Sequence, residues 1–197
     1  MNLAAEHELG RVLLQVLRQD AARAIELPDT LTGDGVVLRA MGADDAPAFA
    51  AAFREDPELG RLLGLDEDPG EDAVRERIAA GRPNQLALAG EDGGFLGQVM
   101  LHSLDERHRR CEVAFWLVPG ARRRGLGTRA VGLVVSWAFA ELDLLRVEMT
   151  TTPDNPSVPA LARRLGFTQE GVLRKRNVER GQRVDVVWFG VLREEWR

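Results

Sequence analysis

CEVAFWLVPGARRRGLGTRAVGLVVSWAF, residues 111 to 139, decides the fold. An apolar run, Cys111 to Val118, breaks at Pro119-Gly120, passes through Arg122-Arg123-Arg124-Gly125-Leu126-Gly127 and enters a second apolar segment. In that segment Leu126, Ala130, Val131, Val134, Val135, Ala138 and Phe139 fall on one stripe of a 3.6-residue period, which predicts a helix. The first run reads as a central strand buried on both faces, and Pro119 cannot continue a ladder. Glycines let the backbone curl so that successive N–H groups converge on an anion, and a helix start adds its partial positive charge. Strand, basic glycine loop and helix therefore predict a phosphate cradle.

Two nucleotide-binding patterns compete for this loop. Gly125 to Ala130 fits G-x-G-x-x-G/A, and Glu148 lies near the place of a ribose-binding acid, so a dinucleotide oxidoreductase is one reading. That fingerprint needs its strand to run almost directly into the first glycine. Here Pro119 through Arg124 intervene. No Lys-Ser/Thr follows the glycines, so the loop is not a P-loop.

Arg-x-x-Gly-x-Gly between a strand and a helix, carried by Arg122, Gly125 and Gly127, resembles the acyl-CoA pyrophosphate loop of the GNAT acyltransferase superfamily. DNPSVPALARRLGFTQEGVLR, Asp154 to Arg174, looks like the Asn-led helix, Gly-Phe turn and Glu-Gly of its RimJ/RimL-like branch. VDVVWFGVLREEW, Val184 to Trp196, is similar to that branch's last strand, and VVLRAM followed by Asp44-Asp45-Ala46 to its first strand and helix. The resemblance implies an α/β fold with a mixed, largely antiparallel sheet flanked by helices. It covers residues 34–197, which we read as the acyltransferase domain, with residues 1–33 as an N-terminal helical extension and linker.

Periodicity agrees with that layout. Leu9, Val12, Leu13, Val16, Leu17, Ala21 and Ala24 predict an amphipathic helix over residues 7–25, expected to pack on the domain or, second, to make a homodimer contact. Pro28 and Gly33-Asp34-Gly35 read as a linker. A strand is expected from Val36 to Met41, helices over 44–54 and 71–80 around the turn-rich LDEDPGED, and a hairpin of Gln85–Ala89 with Phe95–Ser103. Beyond the cradle helix we expect a strand at Arg146–Thr151, a helix from Ser157 to Leu165 ended by Gly166, and strands near 169–175 and 183–192.

With 197 residues, 45% of them hydrophobic, one core can hold the whole chain. No apolar run reaches transmembrane length and no basic, cleavable leader opens the sequence, so a cytoplasmic protein without membrane partners is expected. The net charge of −5 argues against a nucleic-acid binder. One cysteine and three scattered histidines make no convincing metal site, and Cys111 reads as a buried small hydrophobe.

Transfer from a thioester requires a bound coenzyme, a neutral amine, a polarised carbonyl and a route for the thiolate to leave. By resemblance, acetyl-CoA is the co-substrate. Its pyrophosphate would sit on Arg122, Arg123, Arg124, Gly125, Leu126, Gly127 and Thr128, and backbone groups of Trp116, Leu117 and Val118 would bond the pantetheine arm. Asn155 matches an asparagine that contacts the coenzyme in the family, and it also suits a helix cap. The family's serine three places on is Val158 here, with Ser157 one earlier.

The chain has no tyrosine, so a tyrosine acid is impossible; Ser157, a water or direct thiolate loss remain. Glu112 is the first candidate base, its alternative being a surface carboxylate paired with Arg109 or Arg110. Asp185 is the second, in a strand where it alternates with Val184 and Val186. A glutamate can serve as base in the RimJ/RimL-like branch, but Asn177 stands at that place here. His102 and His108 read as strand-end and loop histidines. The expected activity is N-acetyl transfer to a primary amine, either a protein N-terminus or a small molecule. A catalytically reduced acyl-CoA-binding protein is the alternative.

Overall fold

The computed structural model describes residues 25–59, 70–179 and 181–197. The helix expected over residues 7–25 lies almost wholly outside them, as does most of LDEDPGED. Eight strands form one sheet in the order β1-β2-β3-β4-β5-β6-β8-β7: Thr30–Gly33, Val36–Arg39, Gln85–Ala89, Phe95–Asp105, Arg110–Leu117, Arg146–Thr151, Thr168–Glu179 and Gln182–Leu192 for β1 to β8. Every neighbouring pair is antiparallel except β5 with β6. The four described α-helices are α1, Ala46–Glu55, α2, Gly70–Ala79, α3, Leu126–Glu141, and α4, Ser157–Arg164.

Period two divides β5 between two cores. Cys111 and Val113 face the core built on α3, where Ala130, Val131, Val134, Val135, Ala138 and Phe139 are all buried. Trp116 faces the opposite side and packs with Phe49 and Phe53 of α1 and Val74 of α2. The stripe expected of α3 is thus the stripe that the sheet covers.

Residues 30–33, expected to belong to a linker, instead form β1. They pair with Val36–Arg39 across Asp34-Gly35, where both residues have positive φ, 50° and 69°. Four residues ending in glycine carry little strand signal alone, but an edge strand needs only one partner. Behind this hairpin Arg39 grips the buried Asp45 carboxylate through two hydrogen bonds of 2.8 and 2.6 Å, tying β2 to the start of α1. The last two strands exceed expectation because β7 bulges between Leu173 and Asn177, with Lys175 at φ 55°, and pairing resumes as far as Glu179.

The relationship that positions the site is a parting of the sheet. β5 and β6 pair only from Arg110 to Glu112 against Arg146 to Glu148. Beyond Glu112, β5 stays with β4 while Met149 to Thr151 continue along β8. Arg146, hydrogen-bonded to Glu148 at 2.8 Å and to Glu170 at 2.7 Å, clamps the closed end, and these carboxylates raise its pKa.

Candidate active site

Three cavities meet at that parting. On the α3 face a groove of about 740 Å³ runs along Phe115 and Leu117 of β5, the loop from Arg122 to Thr128, and Ser157 and Leu161 of α4. On the α1/α2 face a cavity of about 380 Å³ is bordered by Glu112, His102, Thr150, Asn177, Glu179, Arg77 and Arg82. A third, about 480 Å³, shares Phe115, Leu117, Arg122 and Ser157 with the first, and Phe115, Trp116, Asn155 and Val158 with the second. The open part of the sheet therefore joins two faces of the domain.

The loop has the form expected of an anion cradle. Arg123 and Gly125 sit at φ 60° and 76°, turning the chain so that Gly125 caps α3 and the amides of Leu126, Gly127 and Thr128 open the helix without intrahelical acceptors. At Gly127 an added Cβ would lie 3.1 Å from the ring of Phe115, so glycine lets the helix start lie close against β5. Arg123 also borders the groove, and its exposed side chain forms no ion pair among the described residues.

Arg122 borders the groove with its side chain engaged by the protein. Its Nε donates to the Leu117 carbonyl at 3.0 Å, and its Nη2 lies 2.5 Å from Asp56 at the end of α1. The guanidinium braces the loop against two elements.

Alternation also sorts the three backbone candidates. The Val118 N–H donates to Leu96 O at 3.0 Å, and the Val118 carbonyl accepts from Ala121 at 3.0 Å, so both groups are used. By register the Trp116 amide faces β4 as well, while those of Phe115 and Leu117 face the parting. Leu117 remains a backbone donor; Phe115, absent from the expectation, joins it. The Trp116 indole is buried and donates to Gln98 Oε1 at 2.9 Å.

Asn155 and Ser157 stand at the mouth of the parting. Asn155 Oδ1 accepts the Ser157 N–H at 3.1 Å, the capping role considered from sequence. Ser157 borders the α3-face groove, whereas Val158, one step of about 100° round the helix, is buried and borders the other cavity. The serine shift relative to the family pattern leaves a hydroxyl on the α3-face groove.

Glu112 lies within the α1/α2-face cavity. Thr150 Oγ1 donates to its Oε1 at 2.7 Å, and His102 Nε2 is 3.9 Å from the same oxygen. Arg110 is engaged by Glu148 at 2.8 Å and Asp105 at 3.2 Å, and Arg109 by Asp143, so neither takes up Glu112. His102, read as a strand-end residue, faces Glu112 across the β4–β5 register; His108 is bound at 2.8 Å to Asp105 in the turn, as expected.

Asp185 does not join them. Val186 borders the cavity and its neighbour turns to the other face of β8, where Asp185 Oδ1 accepts the Lys175 N–H of the bulge at 2.9 Å. Glu179, two residues past Asn177 on the same face of β7, brings a second carboxylate instead. Its signal was faint, since its placement depends on the bulge.

A sheet parted between parallel strands, with a glycine anion loop behind and a carboxylate cavity in front, defines a coenzyme-dependent group transferase. Residues 36–168 match the acetyltransferase (GNAT) domain model. Over 170 residues the chain is 30% identical to a Bacillus subtilis protein named as a candidate ribosomal N-acetyltransferase, YdaF, covering 82% of this chain and 93% of that one. A 91-residue stretch is 32% identical to the spermidine N(1)-acetyltransferase of Escherichia coli K12, covering 46% of this chain and 49% of the enzyme. The structure of Mycobacterium smegmatis RimJ, a complex with CoA-disulfide, shares the fold with a TM-score of 0.71 at 21% identity, over 81% of this chain and 83% of that one. The chain belongs to the GNAT acetyltransferase family, and it is an enzyme of that family.

Proposed function

We propose that this enzyme transfers an acetyl group from acetyl-CoA to a primary amine by direct attack in a ternary complex. The carrying observation is the meeting of an anion-loop groove and a carboxylate cavity, on opposite faces of the sheet, at the gap beyond Glu112.

The residues present fit the coenzyme. Leu126, Gly127 and Thr128 offer helix-start amides to a pyrophosphate, Arg123 adds charge, and the Phe115 and Leu117 amides line the path of a pantetheine arm. When bound, acetyl-CoA supplies an acyl carbonyl activated as a thioester. Glu112 Oε1, oriented by Thr150, would take the proton of the amine directly or through a water. The Leu117 N–H would hydrogen-bond the acyl oxygen, and the Ser157 hydroxyl would give a proton to the departing sulfur.

Glu112 needs less driving force for an α-amine, of pKa about 8, than for a lysine side chain near 10.4, so the former should be the better acceptor at neutral pH. The test is acetyl transfer across a panel of amines, with acetyl-CoA affinity measured by calorimetry on the same protein. Turnover fastest on α-amines is expected. Tight acetyl-CoA binding with no turnover would replace this reading by the reduced binding protein.

A further inference from the structure

The cavity that holds Glu112 carries charges of both signs, and the side chains of its positive side have no partner among the described residues. Arg77 comes from the last turn of α2; Arg82 follows Gly81, which ends the helix at φ 66° with its N–H on Ile78 O at 3.0 Å. Both border the cavity with Glu112, His102 and Glu179. Among the described residues neither side chain makes a hydrogen bond or an ion pair. Arg75, on the same helix, is engaged by Glu71 at 2.7 Å, so pairing is available to α2 arginines that face outward.

Arg77 is half-buried and Arg82 exposed, so the two guanidiniums form a solvent-open cationic side of the cavity on which an anion could be held. Burial first, and the Arg82 charge second, hold the Arg77 guanidinium below its ordinary pKa, yet arginine stays charged. A helix C-terminus favours a cation in its last turn, but that interaction uses none of the guanidinium donors of Arg77, which borders the cavity. The opposite wall offers the Glu112 carboxylate, held by Thr150. Such a cavity matches a molecule with an amine at one end and an acid at the other.

We propose that the acceptor carries a carboxylate beside its reacting amine, and that Arg77 and Arg82 bind it while the amine lies against Glu112. This rests on the acetyl-transfer reading above. The chemistry has two sources: a free amino acid or short peptide, and a protein N-terminus whose next residues are acidic. A polyamine is disfavoured, because its second ammonium would meet the two arginines.

The test uses the full chain and peptides identical except for Glu, Gln or Lys at the second residue, with free amino acids and their amides alongside. KM for transfer and, with CoA present, the calorimetric Kd of each N-acetylated peptide are measured in the wild type, Arg77→Gln, Arg82→Gln and Arg75→Gln. The Glu peptide should have a KM and Kd at least about tenfold below those of the Lys peptide. Arg77→Gln or Arg82→Gln should cut that contrast to about threefold or less, and Arg75→Gln should keep it. Preference for amino acids over their amides assigns the small-molecule source; preference confined to peptides assigns the protein N-terminus. Equal constants for Glu and Lys peptides, or a contrast undiminished in both cavity variants, overturns the proposal. If no amine is acetylated, the transfer reading fails, and the Kd contrast still decides this one.

Discussion

Arg122 Nη2 lies 2.5 Å from Asp56 Oδ2, so the arginine that opens the glycine loop reaches across to the end of α1. With Asp56 itself accepting the Glu58 N–H at 3.1 Å, this pair fixes the loop to the helix that covers Trp116.

Arg122 should therefore act through stability and Arg123 through coenzyme affinity. The Arg122 side chain is 40% exposed and that of Asp56 19%, so solvent screening limits their coupling to about 0.5–1 kcal/mol in a double-mutant cycle. Arg122→Gln should lower the thermal midpoint with a small change in acetyl-CoA affinity, and Arg123→Gln the reverse. Thermal unfolding and calorimetry on both variants check this; equal affinity losses would place Arg122 on the phosphates.

The two loop glycines should fail for different reasons. Gly125→Val forces a β-branched residue into φ 76°, whereas Gly125→Asn tolerates that backbone, so the first should weaken acetyl-CoA binding at least tenfold, about 1.4 kcal/mol, and the second less. Gly127→Val places a side chain into the 3.1 Å approach to Phe115, so it should lose affinity and thermal stability together. Calorimetric titration of folded variants with unchanged affinity would remove the pyrophosphate from this loop.

Cys111 should be chemically silent. Burial, with Glu148 and Glu112 nearby, pushes its thiol up to about 12. A thiol raised about three pKa units carries roughly a thousandth of the thiolate of an exposed one, so labelling at pH 8 should be at least about 100-fold slower in the native than in the unfolded protein. The sign of the linkage follows: the native state disfavours the thiolate, so this stability is complete below the unfolded pKa near 9 and is lost as pH rises towards 12. Cys111→Ala should flatten that alkaline decline. Fast native labelling would contradict the buried placement.

The α3-face groove is legible in the sequence because it is local. The stripe from Leu126 to Phe139, the glycine loop and the strand before it occupy one stretch of chain, and helix period, glycine and proline each leave a sequence signal. The α1/α2-face cavity is assembled from α2, β4, β5, β6 and β7, so the meeting of His102, Glu112, Thr150 and Glu179 depends on register. Asp185 shows the cost of lacking it, since alternation identified two faces of β8 but not which one the cavity occupies. Arg77 carries no sequence signal that sets it apart from the other charges of its helix, and the short β1 reads as a linker.

Glu112→Gln should lower turnover by at least about tenfold while the acetyl-CoA dissociation constant stays within about twofold. The carboxylate lies across the sheet from the glycine loop proposed to hold the nucleotide; its Oε1 accepts from Thr150 at 2.7 Å inside the α1/α2-face cavity. An amide of the same shape keeps a carbonyl for that hydrogen bond and loses the capacity to take a proton. Turnover measured against pH at saturating acceptor separates the roles. If Glu112 is the base, the variant should recover as pH passes the acceptor's own pKa, because the amine then deprotonates in solution. A loss that is equal at every pH would make Glu112 a positioning residue. Wild-type turnover would exclude it, and Glu179, the other carboxylate bordering the same cavity, would be the residue to replace next.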